Sequence, residues 1–163
     1  MKSTGEVMGI SKNFGISFAK AQLAAGNNIP TSGTAFLSFI EMDKKHAPEI
    51  AKGLIDHGFK LVATGGTAKI INDAGLTCET VLKISEGRPN IEDRMKNGEI
   101  QVAINTSDNN TSKKDAIVIR QEVLRRNIPY FTTLSATRAM IAALTEMKDP
   151  AWNEPQALQD FLA

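Results

Sequence analysis

Cysteine is nearly missing from this sequence. Cys78 stands alone among 163 residues, which excludes a disulfide within the chain and fits a reducing compartment. Histidine is scarce as well: His46 and His57 lie eleven positions apart around one helical stretch, not at metal-ligand spacing. No run approaches the roughly 20 apolar residues of a membrane span, and the first residues lack the apolar core of an export signal. The expected location is therefore cytoplasmic. Asn105-Thr-Ser, Asn109-Asn-Thr and Asn110-Thr-Ser match the glycosylation pattern, but without export they are chance matches. Charge of either sign is not in excess: the net value of +1 gives no reason to expect nucleic acid or an anionic membrane as partner. Walker A and GxGxxG patterns, internal repeats and low-complexity segments are all absent. What remains is ordinary soluble composition, 42% apolar and 23% charged, in a length that suits one domain with a real core.

The apolar residues fall into an alternating pattern. Short runs suited to strands lie at Ala35–Ile40, Leu61–Ala63, Thr80–Leu82, Val102–Ile104 and Ile128–Thr132, the last with Pro129 near its start, where a strand tolerates proline. Helical periodicity marks residues 14–25, 47–57, 68–74, 90–97 and 112–126. A final long helix is expected after Ser135, its predicted cap, and a short one at residues 156–161. Gly58, Gly75 and Gly98 are placed as left-handed stops. Met1 to Ile10 carries no clear period. Ile29-Pro-Thr-Ser-Gly33 reads as a linker, so that residues 1–30 precede a domain over 31–149 and residues 150–163 form a tail. Strand and helix in alternation predict an α/β fold: three layers, with a mostly parallel five-stranded sheet between helices on both faces. The runs are continuous in apolar character, as strands buried on both faces should be.

In such a sheet, ligands bind outside the carboxyl ends of the strands. After the first strand come Glu41-Met42-Asp43-Lys44, and after the second Thr64-Gly65-Gly66-Thr67. Lys83 and then Glu86-Gly-Arg-Pro89 follow the third, Asn105-Thr106-Ser107 the fourth, and Thr132-Thr133 end the fifth. The Thr64–Thr67 turn joins a strand to a helix, which points free N–H groups at an anion; two glycines let a phosphate approach, and two hydroxyls offer donors. Two lysines, several hydroxyls, an amide and a helix N-terminus thus share one rim suited to a phosphorylated small molecule.

Each residue also has a plainer reading. Thr64 and Thr67 serve equally well as helix caps. Lys44 and Lys83 are by default solvated, Asn105 ties down its own turn, and Arg88 pairs with Glu86, Glu92 or Asp93. The rim gains because the opposite edge offers no comparable set. Catalysis has little support. Asp43, Glu41 and Asp93 are available bases that nothing selects, and Cys78 has no nearby histidine in sequence, which favours packing over nucleophilic use.

Longer stretches carry a family resemblance. Glu86-Gly-Arg-Pro-Asn-Ile-Glu-Asp-Arg94, Lys96-Asn-Gly98, Ile104-Asn-Thr106, Val118-Ile-Arg120 and Thr132-Thr-Leu134 follow in this order. Together with the Thr64 turn they resemble the C-terminal allosteric domain of carbamoyl phosphate synthase large subunits, which has the methylglyoxal-synthase-like fold. Gly5-Glu-Val-Met-Gly9 and Phe18-Ala-Lys-Ala-Gln22 look like the end of the preceding ATP-grasp half. The resemblance implies a non-catalytic domain, without a cofactor of its own, inside an ATP-dependent, glutamine-hydrolysing ligase. That enzyme would use ATP and a divalent metal, pair with a glutaminase small subunit, and serve pyrimidine and arginine synthesis. It further implies an allosteric nucleotide, UMP as inhibitor or IMP as activator, held by Lys44, Thr64, Gly65, Gly66, Thr67, Lys83, Asn105, Thr106 and Ser107, with Ser38 contributing.

Two departures from the family pattern stand out. Some members carry Gly-Arg-Arg shortly after the Asn-Thr pair, where this chain has Asp108-Asn-Asn-Thr111, with Lys113 and Lys114 slightly later. Members that respond to ornithine can have an acidic residue before the paired threonines, where this chain has Phe131, so no ornithine contact is expected there, although Thr132 remains. Two enzymes of the same fold are rivals. Methylglyoxal synthase has a histidine near a Pro-His-Asp-Pro segment, where this chain reads Asn105-Thr-Ser-Asp108. IMP cyclohydrolase shares the turn through Lys69, but its Lys-Thr-Leu-His-Pro segment is missing. A third alternative is an interaction module whose rim binds nothing, for which nucleotide titrations would be flat.

Overall fold

Leu61, Val62 and Ala63 suit a strand with no solvent-facing side, and they occupy the middle of one in the computed structural model, which describes residues 2–3, 6–106 and 113–161. The chain divides into two units, residues 1–29 with 138–163, and residues 30–137. The first unit opens on β1 (Lys2–Ser3) and β2 (Glu6–Val7), an antiparallel pair too short to show a period in sequence. Helix α1 (Phe14–Ala24) follows, capped by the Asn13 side chain, which accepts from the Ile16 N–H at 3.2 Å.

The second unit holds the sheet. Its strands are β3 (Gly33–Ser38), β4 (Phe59–Thr64), β5 (Glu79–Val81), β6 (Val102–Asn105) and β7 (Tyr130–Phe131). The spatial order is β5-β4-β3-β6-β7, and every pairing is parallel. The chain winds outward from β3 through β4 to β5, then crosses back to β6 and β7. The reversal lies between β3 and β6, where an open sheet leaves a crevice. All five predicted strands are present. The fifth shrinks to two residues beyond Pro129, which has no N–H to donate to a ladder.

The helices between strands are α2 (Ala47–Ile55), α3 (Gly65–Asp73), α4 (Ile91–Lys96) and α5 (Lys113–Arg125). Helix α6 (Leu134–Glu146) begins in this unit, and its residues from 138 on belong to the first. On one face of the sheet Phe36, Val62, Val81 and Ala103 pack with Ile91 and Met95 of α4 and Ile119 and Val123 of α5. Ala35, Leu37, Leu61 and Ala63 alternate with that set and face the other way, the side of α2 and α3; Ile50, Leu54 and Ile71 of these helices are wholly buried. Gly58, Gly75 and Gly98 hold φ of 82°, 79° and 73°, so each predicted stop is left-handed.

Three local expectations change. Helix α3 starts at Gly65, not after the glycines, because Thr64 is already extended (φ −65°, ψ 148°) and acts as its N-cap residue. The cap of α6 is Thr133, whose hydroxyl accepts from the Ala136 N–H at 3.1 Å, rather than Ser135, which lies inside the helix. The closing segment forms a 3-10 turn over Leu158–Phe161. Among the described residues no helix is long and apolar enough to cross a membrane.

Candidate functional site

Three neighbouring strands end on polar residues: Ser38 on β3, Thr64 on β4 and Asn105 on β6. Ser38 pairs in register with Asn105, and Leu37 with Ala63, so the tips are level. Thr64 and Asn105 are each 5% exposed and need partners. The Thr64 hydroxyl donates to Ser38 Oγ at 3.4 Å, and Asn105 Nδ2 donates to the Tyr130 hydroxyl at 3.1 Å.

The chain leaving β3 is pinned atom by atom. The Phe39 N–H donates to Thr67 Oγ1 at 3.1 Å, and the Ile40 N–H to Thr106 Oγ1 at 3.1 Å. The Asp43 and Lys44 N–H groups then return to the Ile40 carbonyl at 3.0 and 3.1 Å, closing a tight turn. That turn lays the Lys44 side chain over the start of α3. A Cβ built on Gly66 would sit 2.9 Å from Lys44 Nζ and 3.3 Å from Cε, so the ammonium occupies space that only glycine leaves open. Among the described residues no side chain caps α3. The helix therefore presents its first N–H groups, and their partial positive charge, beneath a lysine. This decides against capping by a hydroxyl: Thr64 holds the N-cap position without a side-chain cap bond, and Thr67 is committed to Phe39.

These tips form one wall of a cavity of about 340 Å³, within the range of small-ligand pockets. Ser38, Lys44, Thr64 and Gly66 form its polar end, with Asn105 and Thr106 on the β6 side. Lys83 reaches it from the segment after β5. Seven of the ten residues expected on the rim, counting Ser38, are thus gathered around one space. Gly65 does not line it. Thr67 lies beneath it, wholly buried, and acts there by positioning Phe39. Ser107 and the Asp108–Thr111 departure lie outside the described residues.

Sequence reasoning missed the opposite wall. Ile84, Ile91, Ala116 and Ile119 make it apolar, and Asp115 adds a carboxylate. Asp115 Oδ2 accepts from the Ser85 hydroxyl at 2.8 Å, joining the segment after β5 to the first turn of α5. Ile91 and Ile119 also belong to the core, and only the strand order shows that their helices border the crevice.

Among the described lining residues, Lys44 and Lys83 stand against Glu41 and Asp115. Lys44 pairs with Glu41 at 2.5 Å; the lysine side chain is 21% exposed and the glutamate 85%. Arg88 pairs with Asp93, as its plainer reading had it. The Arg88 guanidinium, aided by the Asn90 N–H, holds the Asp93 carboxyl down at about 2. Burial, reinforced by the Glu79 charge, pushes the Cys78 thiol up to about 11, which suits packing and not attack. No histidine appears among the cavity-lining residues. Among the described residues no three His, Cys, Asp or Glu side chains gather as metal ligands would.

Comparison with known proteins gives this geometry a context. Residues 46–132 match the family described as the MGS-like domain. Over 99% of its length the chain is 48% identical to the carbamoyl phosphate synthase large chain of Campylobacter jejuni. It is 46% identical, over 99%, to the chloroplastic arginine-specific large chain of Oryza sativa subsp. japonica. The match covers 15% and 14% of those two proteins, so the chain corresponds to a small part of each. A C-terminal section of the large chain from Aquifex aeolicus is 45% identical over 91% of this chain and 28% of its own length. Among solved structures, methylglyoxal synthase from Elizabethkingia anophelis aligns with a TM-score of 0.56 at 20% identity, covering 82% of this chain and 92% of that one. A likeness at that identity concerns the fold.

Proposed function

The chain belongs to the MGS-like domain family, and from that premise we propose that it is the allosteric regulatory domain of a carbamoyl phosphate synthase large chain. Its ligand is a nucleoside monophosphate, UMP or IMP, bound at the carboxyl edge of the sheet. The observation that carries this reading is the uncapped start of α3 under the Lys44 ammonium, at the polar end of a cavity whose other wall is apolar. A phosphate seated there accepts N–H bonds from the helix start and takes charge compensation from Lys44, with Lys83 as a second cation. Asn105, Thr106 and Ser107 serve phosphate or ribose hydroxyls, and the isoleucine wall takes the base.

In the intact enzyme the partners are the rest of the large chain and a glutaminase small subunit, and the activity modulated is ATP- and metal-dependent carbamoyl phosphate synthesis for pyrimidines and arginine. Modulation requires that the nucleotide bind two states of that enzyme unequally. The isolated chain binds without catalysing. Its likeness to methylglyoxal synthase speaks for fold alone, since function follows the site. The observation against that enzyme is the lack of a histidine among the lining residues.

Calorimetry with UMP and IMP tests the reading. Lys44→Ala should weaken binding by about 1.5–3 kcal/mol, the worth of a charged phosphate contact. Failure of both nucleotides to bind the folded wild type would overturn the proposal.

A further inference from the structure

The Glu41 carboxylate lies against the same ammonium that the proposed phosphate would use. It comes from the tight turn that positions Lys44, three residues earlier, so the pair is intramolecular and always at hand. Lys44 is largely enclosed, over Gly66 and at 21% exposure, while Glu41 stands 85% exposed. The lysine therefore keeps its place when Glu41 leaves, and the glutamate needs only to rotate into solvent.

Resting on the nucleotide reading above, we infer that Glu41 is a tethered counter-anion that competes with the ligand's phosphate for Lys44 and so sets the affinity of the site. Binding is an exchange: the phosphate takes the ammonium and the α3 N–H groups, and the Glu41 carboxylate is released to water. The displaced pair is exposed on its glutamate side, so its cost is that of a surface ion pair, a small discount on phosphate affinity. A nucleoside without phosphate does not reach for the ammonium and does not meet this cost. The discount is electrostatic and shrinks as salt screens the pair.

The test compares wild type and Glu41→Gln, which keeps size and removes charge, in titrations with UMP, IMP, inorganic phosphate and uridine. The nucleotides that bind, and phosphate, should bind the variant about two- to fivefold tighter at low salt, with the gap closing at high salt and uridine unchanged. Equal nucleotide affinity for the two proteins would overturn the counter-anion while leaving the nucleotide site standing. Weaker binding by the variant would instead make Glu41 a direct ligand contact and also overturn it. If neither folded protein binds UMP, IMP or phosphate, the counter-anion and the nucleotide reading fail together.

Discussion

Thr67 is wholly buried, and its hydroxyl oxygen receives the Phe39 N–H. A valine there has nearly the same shape but no acceptor, which strands a buried backbone donor at the point where the chain leaves β3. Thr67→Val should therefore lower unfolding free energy by about 1–3 kcal/mol in urea titrations, and stability within about 0.5 kcal/mol of wild type would refute that role. The contrast between Thr64 and Thr67 explains what a sequence discloses at this scale. Both follow the second strand, so both were expected on the rim. Only the fold separates Thr64, on the cavity wall, from Thr67, turned under it toward a segment 28 residues away. Lys44 and Lys83 were legible because position after a strand fixes the edge on which a residue falls. Asp115 was not: an acid in a helix's first turn is ordinary, and its place at the cavity follows from tertiary structure.

Helix α3 carries its functional surface at its first turn, and glycine there is a poor helix former. That weakness explains why the sequence reads as a turn followed by a helix from residue 68. It also yields a prediction with two opposite signs. Gly66 has helical backbone, so Gly66→Ala should stabilise the fold by up to about 1 kcal/mol. The new methyl would approach Lys44 Nζ within the 2.9 Å noted above, and the flexible end of the lysine must move off the helix start. Thermal unfolding should thus rise while nucleotide affinity falls. A variant that loses stability, or binds as tightly as wild type, would contradict this account of the glycine. Elsewhere the elements were readable where one local rule dominates, as at Gly58, Gly75 and Gly98. They shifted where two hydroxyls compete, as when Thr133 caps α6 ahead of Ser135.

Across the whole molecule, the strand order turns scattered motifs into a site. The continuous apolar runs predict a parallel sheet, and periodicity supplies the helices between them. What periodicity cannot supply is the reversal at β3, which brings residues 38, 64 and 105 level with each other and opens the crevice beside them. The antiparallel β1–β2 pair went unseen for a related reason: two-residue strands are defined by their pairing and not by a pattern. The central claim is that a monophosphate ester lodges where α3 begins. A crystal structure of the chain with bound UMP or IMP tests it most directly. The account predicts phosphate oxygens within about 3 Å of the Gly66 N–H and of Lys44 Nζ. A nucleotide whose phosphate lies away from both, or no nucleotide in the cavity at saturating concentration, would contradict it.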